Sequence, residues 1–178
     1  MSTILVPLDY SDCAASVFDE ALRFATAFGA SMVLLHVSEV TRGLPLSVTV
    51  QPPDGGAPKA VEAVLRDDVE AHLAPLAAEA RRRGIEAVTR VAFGRPAQMV
   101  LDAARREGAT LIVMGTHGRT GLARLALGSV AEEVIRQADA PVVTVRTRHH
   151  PGWAARSCAT CTAARSPVEL RLSAEESG

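Results

Sequence analysis

Three glycines and a serine with a fixed spacing form the part of this sequence most suited to chemistry. They follow the pattern Gly-x2-Gly-x9-Gly-Ser at Gly115, Gly118, Gly128 and Ser129. An apolar run, residues 110–114, leads into the pattern, and a segment with helical character begins at Ser129. Glycine lets the backbone approach a ligand and adopt positive φ, and a helix N-terminus presents unpaired amides. A strand, a glycine-rich loop and a helix start in this order predict a cradle for an anion such as phosphate.

The cradle lacks the lysine of a Walker-type phosphate loop. Lys59 is the only lysine in the chain, and no lysine follows Gly128. Phosphate charge would therefore be met by main-chain amides, by hydroxyls such as that of Ser129, by Arg119 or Arg124, or by a metal ion. A glycine-rich turn without a ligand is the alternative, because such turns are common. Three glycines and a serine directly after an apolar strand favour the anion site.

Asp9 and two histidines are the other polar residues with chemical potential near apolar strands. Asp9 ends the apolar run 3–8, and a carboxylate there is costly unless it is solvated, paired or bound to a ligand. A ligand contact is favoured over a turn or capping role, because ligands bind beyond the carboxyl ends of parallel strands. His117 lies inside the glycine loop and would contact ribose or phosphate, or else be exposed. His36 interrupts an apolar strand and is interpreted as a core histidine satisfied by a hydrogen bond.

The three cysteines do not form a disulfide framework. Cys13 lies in the first turn of a predicted helix and is interpreted as a small buried residue. Cys158 and Cys161, downstream of His149 and His150, have the spacing of a metal or redox motif. No periodic segment surrounds them, so an unstructured tail is the preferred interpretation.

Composition excludes several classes of protein. The chain has 178 residues, long enough for one domain with a substantial core, and its 48% hydrophobic content excludes global disorder. A net charge of −1 argues against a nucleic-acid partner bound through phosphate neutralisation. No apolar run approaches the roughly 20 residues of a membrane span, and no signal peptide is recognised, so we expect no membrane partner and a cytoplasmic location.

Apolar runs alternate with segments of helical periodicity along most of the chain. This alternation predicts an α/β fold with a parallel sheet covered by helices on both faces. In the last predicted helix, Val130, Val134 and Ile135 are interpreted as core residues. Residues 38–58 are rich in proline and glycine and predict a long irregular excursion. The predicted strands are 3–8, 32–37, 87–92, 110–114 and 142–146. The first predicted helix follows Ser11, and the other three cover 60–83, 96–107 and 129–137.

Four motifs of a known family occur along the chain. They are Ile4-Leu5-Val6-Pro7-Leu8-Asp9-Tyr10-Ser11, Leu34-Leu35-His36-Val37, Val113-Met114-Gly115-Thr116-His117-Gly118 with Gly128-Ser129-Val130-Ala131, and Ala140-Pro141-Val142-Val143. Through these motifs, residues 3–147 resemble the universal stress protein family. The intact glycine pattern is the mark of the family's ATP-binding members, so the resemblance implies ATP as the ligand, with Mg²⁺ or Mn²⁺ as a candidate companion ion. The tail beyond Arg148 has no counterpart in the family's core, and the segment 42–58 is unusually rich in proline.

The same resemblance implies a Rossmann-like, open five-stranded parallel sheet in the order 3-2-1-4-5, and a role for each motif residue. It implies a nucleotide-binding domain over residues 1–147 and a C-terminal tail over 148–178, which we expect to be disordered. It also implies a homodimer through the last strand, from Val142 to Arg146. Met114 is also implied to bind the nucleotide. The other implied contacts are Pro7 and Asp9 with adenosine, the Val37 main chain with adenine, Gly115, His117 and Gly118 with ribose and α-phosphate, and Gly128, Ser129, Val130 and Ala131 with the outer phosphates.

These features predict a nucleotide-dependent regulatory protein of the stress response that binds ATP. No catalytic residue is identified, because no paired carboxylates flank the loop to activate water. Two alternatives remain open: a slow ATP hydrolase or adenylyl-transferring enzyme on the same scaffold, and an interaction module that works without nucleotide. A flavodoxin-like redox role ranks below these, because an aromatic content of 3% leaves few rings to stack on a flavin.

Overall fold

The computed structural model describes residues 2–9, 14–39, 47–51, 55–116 and 127–146. Strands and helices alternate along most of this length, as predicted, and each of the nine predicted elements is present within one or two residues. In chain order the elements are β1 (Thr3–Pro7), α1 (Ala14–Phe28), β2 (Ser31–Ser38), β3 (Thr49–Val50), β4 (Lys59–Ala60), α2 (Val61–Arg82), β5 (Ala87–Phe93), α3 (Pro96–Arg106), β6 (Leu111–Gly115), α4 (Ser129–Gln137) and β7 (Val142–Val145).

Five of the strands form one parallel sheet in the order β5-β2-β1-β6-β7. Counted among these five strands alone, this is the predicted order 3-2-1-4-5, so the prediction is confirmed. Strands β2 and β5 lie on one side of β1, and β6 and β7 lie on the other, so the order in which strands are added reverses between β1 and β6. Ile4 of β1 and Leu111 of β6 are register partners. The carboxyl ends of β1 and β6 therefore lie side by side at the switch point, where α/β sheets bind ligands.

Two hydrophobic layers cover the sheet, one on each face. Ile4 and Val6 of β1 pack with α1 and α2, whereas Leu5, which points the opposite way, packs with α3 and α4. Both faces are apolar because helices cover both, as in other parallel sheets. The helices contribute many alanines to these layers, and the small side chains let them approach the strands closely.

Helix α4 packs on one side only, which corrects one prediction about its core residues. Val134 is fully buried and Val130 is partly buried against the same layer. Ile135 was expected in the core, but its side chain is 44% exposed. The next helical position after Val134 is rotated about 100° away from the sheet, so a nine-residue helix at the edge leaves it in solvent.

The excursion predicted at 38–58 contains β3, the first strand of a short antiparallel pair that the sequence did not reveal, and the second strand, β4, follows directly after it. Strand β3 pairs with β4, with Thr49 opposite Ala60, and Val50 packs with Val61 and Val64 of α2 in a separate small cluster. Two-residue strands carry no measurable periodicity, so no pattern could predict them. The cysteines and the tail 148–178 lie outside the described residues. Within the described part of the chain, no helix combines the length and apolar character needed to cross a membrane.

Candidate functional site

The two ends of the glycine loop meet at the carboxyl end of β6. The Gly128 amide donates a hydrogen bond to the Thr116 carbonyl, with an N···O distance of 2.8 Å. The Thr116 amide donates in turn to the Val145 carbonyl of β7, at 3.1 Å. The chain therefore leaves the sheet after Gly115 and returns to the same point, which holds the first turn of α4 beside the end of β6. Thr116 was not predicted as a site residue, although it lies inside the glycine motif.

The first turn of α4 is anchored through its N-cap residue and through Ala131. Gly128 is the N-cap residue, and the Glu132 amide donates to its carbonyl at 2.9 Å. The side chain of Ala131 is buried in the layer beneath the sheet edge, whereas Ser129 is exposed. The amides of the first helical turn have no partner within the helix, so they can donate to an anion at this edge.

The two described glycines of this site, Gly115 and Gly128, do not adopt an unusual backbone conformation. Among the described residues, positive φ occurs at Gly29, Gly55, Gly84, Gly94 and Gly108. Gly115 and Gly128 are not among them, so the expectation of positive φ at these two positions is wrong. Gly115 is extended as the last residue of β6, and Gly128 has φ −64° and ψ 147°. Gly118 lies outside the described residues.

The residues predicted to contact adenosine lie at the same edge of the sheet. Pro7 is the last residue of β1 and the register partner of Leu35 in β2. Asp9 lies two residues after Pro7 and is half-buried. Val37 lies near the end of β2 and packs with the layer formed by α3 and α4.

Met114 and Ala131 belong to the layer that also contains Val37. The described ends of β1, β2 and β6 therefore lie at one edge of the sheet, and Val37, Met114 and Ala131 pack on the same face of it. His117 lies outside the described residues, so its contacts with the nucleotide stay a prediction.

His36 is buried in the sheet, as interpreted from the sequence. Its side chain is 8% exposed, and its Nδ1 lies 2.8 Å from the Leu8 carbonyl oxygen. A carbonyl only accepts, so Nδ1 carries the proton and donates it. Burial lowers the pKa of His36, and the hydrogen bond to Leu8 and the nearby Asp9 carboxylate oppose that shift. The imidazole is therefore neutral at pH 7, which excludes a permanent positive charge at this position.

Charged side chains near α4 are exposed and paired weakly. Arg95 precedes α3, and its Nη2 lies 3.5 Å from a carboxylate oxygen of Glu133. An exposed pair of this length contributes little to stability. Within the described ranges, no group of three or more His, Cys, Asp or Glu side chains is arranged to hold a metal ion.

Comparison with known proteins identifies the family. The family model for the universal stress protein family matches residues 1–146. Universal stress protein MJ0531 of Methanocaldococcus jannaschii is 33% identical over 143 residues, covering 80% of this chain and 81% of that protein. The solved structure of MJ0577 from the same organism superposes with a TM-score of 0.66 at 26% identity, covering 84% of this chain and 98% of that one.

A further solved relative carries a nucleotide. It is the universal stress protein from Archaeoglobus fulgidus in complex with dAMP, which has a TM-score of 0.55 at 22% identity and covers 81% of this chain and 97% of that one. At this identity the likeness concerns the fold. Together with the match over residues 1–146, these comparisons show that the chain belongs to the universal stress protein family.

Proposed function

We propose that this chain binds ATP at the edge between β1 and β6 and acts as a nucleotide-dependent regulatory protein in the cytoplasmic stress response. The observation that carries the proposal is the hydrogen bond between the Gly128 amide and the Thr116 carbonyl. It holds the unpaired amides of α4 at the switch point of the sheet, where a phosphate would accept several N–H bonds and meet the positive end of the helix dipole.

Each part of the nucleotide has candidate partners at this edge. Pro7 and Asp9 would line the adenosine side, and the main chain of Val37 would meet the adenine edge. Met114 and Gly115, with His117 and Gly118 of the loop, would surround the ribose and the α-phosphate. The outer phosphates would lie against the first turn of α4, at Gly128, Ser129, Val130 and Ala131.

Isothermal titration of the purified chain with ATP, AMP and cAMP tests the ligand. The dAMP complex supports an adenine nucleotide on this scaffold, and contacts at α4 with the outer phosphates would favour ATP over AMP. Tighter binding of ATP than of AMP is expected. Equal affinities would remove the outer phosphates from the α4 site, and no binding of any nucleotide would favour an interaction module that works without one.

Mg²⁺ or Mn²⁺ would accompany ATP as part of the ligand. The described residues offer no cluster of acidic and histidine side chains for the ion, so phosphate oxygens would be its main ligands. Titration in EDTA and in Mg²⁺ tests this. We expect affinity to be higher with the ion, because it reduces the charge that a site without lysine must accept.

Slow ATP hydrolysis is the second candidate function. Product analysis after long incubation with ATP and Mg²⁺ distinguishes it from binding alone. Turnover that disappears on replacing Asp9, but survives deletion of residues 148–178, would favour the enzyme.

Replacing Ser129 with alanine is expected to weaken ATP binding about fivefold. The hydroxyl is exposed at the first helical position, where it would add one hydrogen bond to phosphate, a contribution of about 1 kcal/mol. Isothermal titration measures the change. An unchanged affinity would leave the phosphate contacts to the main-chain amides alone.

Among the described strands, none pairs with the outer edge of β7, and this edge would support the homodimer. Ile112 donates to the Pro141 carbonyl at 2.9 Å and Thr116 to the Val145 carbonyl at 3.1 Å. Because main-chain groups alternate direction along a strand, the odd-numbered residues of β7 bond to β6 and the amide of Thr144 points away from it. A second copy could pair with this outward-facing edge.

Replacing Thr144 with proline should convert the dimer to monomer, because proline removes the outward amide without breaking a bond to β6. Thr89→Pro is the matched control: Met32 donates to the Glu86 carbonyl, so the Thr89 amide points away from the sheet on the opposite edge. Sedimentation velocity should show a monomer for Thr144→Pro and a dimer for Thr89→Pro. A Thr144→Pro dimer as tight as that of the parent chain would exclude β7 as the interface.

A further inference from the structure

The end of β1 is held to β2 by two hydrogen bonds on a single residue. The Leu8 amide donates to the Leu35 carbonyl at 2.8 Å, and the Leu8 carbonyl accepts from Nδ1 of His36 at 2.8 Å. Leu8 is therefore fixed through both of its main-chain polar groups. Asp9 is the next residue along the chain, so these two bonds fix the main-chain position from which its side chain extends.

The imidazole of His36, which makes one of these bonds, links two residues that are proposed to contact the nucleotide, Asp9 and Val37. His36 bonds to the residue before Asp9, and it is itself the residue before Val37. It is buried on the sheet face that Met32 and Leu34 share, opposite to the face on which Val37 packs. His36 would therefore not touch the nucleotide, but it connects the strand end that carries Asp9 to the strand that carries Val37.

We propose that His36 is a positioning residue for the nucleotide: its neutral imidazole ties Leu8 to β2 and fixes Asp9 relative to Val37, and acidification loosens this connection and lowers nucleotide affinity. The inference rests on the proposed nucleotide site and adds regulation by pH to it. A protonated ring would still donate to Leu8, and more strongly, but burial destabilises the charge by more than this bond stabilises it, so the pKa of His36 is lowered on balance. Protonation therefore favours conformations in which the ring is solvated and has left Leu8.

Among the described residues, the titratable groups that act on His36 come from the end of β1 and from α2. Asp9 lies at the end of β1, and Asp68 and His72 lie on α2. Nδ1 of His72 lies 2.8 Å from the Asp68 carbonyl oxygen and 3.9 Å from an oxygen of its carboxylate. Burial lowers the pKa of His36 most strongly and His72 lowers it further, whereas the Leu8 bond, Asp9 and Asp68 raise it, and the net shift is downward.

The downward shift fixes the sign of the pH dependence. In the unfolded chain His36 binds a proton near its ordinary pKa of about 6.5, and in the folded chain it binds one only at lower pH. Between these two pKa values the unfolded state binds more protons than the folded state, so the free energy of unfolding rises with pH in that interval. The stability that depends on a neutral His36 is therefore fully present above about pH 6.5. It is lost as the pH falls from there through the folded-state pKa.

Two variants of His36 separate positioning from mere packing. His36→Asn places an amide nitrogen near the position of Nδ1, so it can keep the bond to Leu8 but cannot titrate, whereas His36→Leu removes the donor. At pH 7.5 we expect ATP affinity to fall about tenfold in His36→Leu, the loss of about one hydrogen bond, and to stay within about threefold in His36→Asn.

The pH profile and Asp9 provide readouts that a packing role would not move. Between pH 7.5 and 5.5, ATP affinity should fall further in the parent chain than in His36→Asn. Titration of ATP itself affects both proteins equally, so the difference between the two profiles reports on His36. In an Asp9→Ala background, His36→Leu should change affinity less than about threefold, because the side chain that it positions is gone. Parallel pH profiles, or a full tenfold loss without Asp9, would overturn the proposal.

Hydrogen exchange at the Leu8 amide decides the inference independently of ATP. Protection of this amide should fall in His36→Leu and be retained in His36→Asn. Unchanged protection in His36→Leu would overturn the proposal, even if the chain binds ATP. If the parent chain binds no nucleotide, the proposed function fails, and the exchange data still decide whether His36 holds β1. If His36→Leu does not fold, the pH profiles of the parent chain and His36→Asn decide.

Discussion

Valine at position 128 is expected to weaken ATP binding about 100-fold while the domain stays folded. The backbone of Gly128, with φ −64° and ψ 147°, is one that valine adopts readily, so the substitution causes no backbone strain. Its branched side chain would occupy the space through which a phosphate reaches the amides of α4. Loss of two charge-assisted hydrogen bonds, about 1.5 kcal/mol each, corresponds to roughly two orders of magnitude in affinity.

Ala60→Val is the matched control for this substitution. Ala60 is the N-cap of α2, its φ of −59° and ψ of 142° are close to those of Gly128, and it also makes no side-chain cap bond. Both variants should lose similar, small amounts of thermal stability without ligand, and Ala60→Val alone should retain ATP affinity. If Gly128→Val binds ATP as tightly as Ala60→Val does, phosphate does not lie at the first turn of α4.

Truncating Leu34 to alanine is expected to lower the free energy of unfolding by about 3 kcal/mol. Leu34 is fully buried in β2, between β1 and β5, and packs in the layer that contains α1 and α2. The substitution removes apolar contacts and leaves a cavity that strands bonded on both sides cannot collapse to fill. A loss of this size is a large fraction of the stability of an ordinary domain.

Chemical denaturation of Leu34→Ala and of Ile135→Ala measures this difference. Ile135 is 44% exposed, so its truncation should change the free energy of unfolding by no more than about 0.5 kcal/mol. The comparison also tests the corrected placement of Ile135. Similar losses in the two variants would contradict the assignment of Leu34 to the core and Ile135 to the surface of α4.

The central strands of the sheet could be predicted because β1 and β6 carry short, unbroken apolar runs, at residues 4–6 and 111–114. Leu5 and Val6 point to opposite faces and both are fully buried, so an unbroken apolar run identifies a strand covered on both sides. The start of α4 was predicted at Ser129, where it begins, because the glycine before it interrupts the helical pattern. The strand order, in contrast, came from the family resemblance, since hydrophobic periodicity does not specify which strands are neighbours.

Hydrogen bonds to main-chain carbonyls of distant residues could not be predicted. The bond from Gly128 to Thr116 and the bond from His36 to Leu8 depend on how the ends of separate elements meet. Residue type does not encode these contacts, because any residue supplies a carbonyl. The conformation of Gly128 was wrongly expected for a similar reason: glycine permits positive φ but does not require it.

A crystal structure of the chain grown with millimolar ATP and Mg²⁺ tests the central claim most directly. The proposed function predicts phosphate oxygens about 3 Å from main-chain nitrogens of the first turn of α4, with the adenosine beside Pro7 and Asp9. Nucleotide bound elsewhere on the chain, or an edge between β1 and β6 that remains without nucleotide at that concentration, would contradict it.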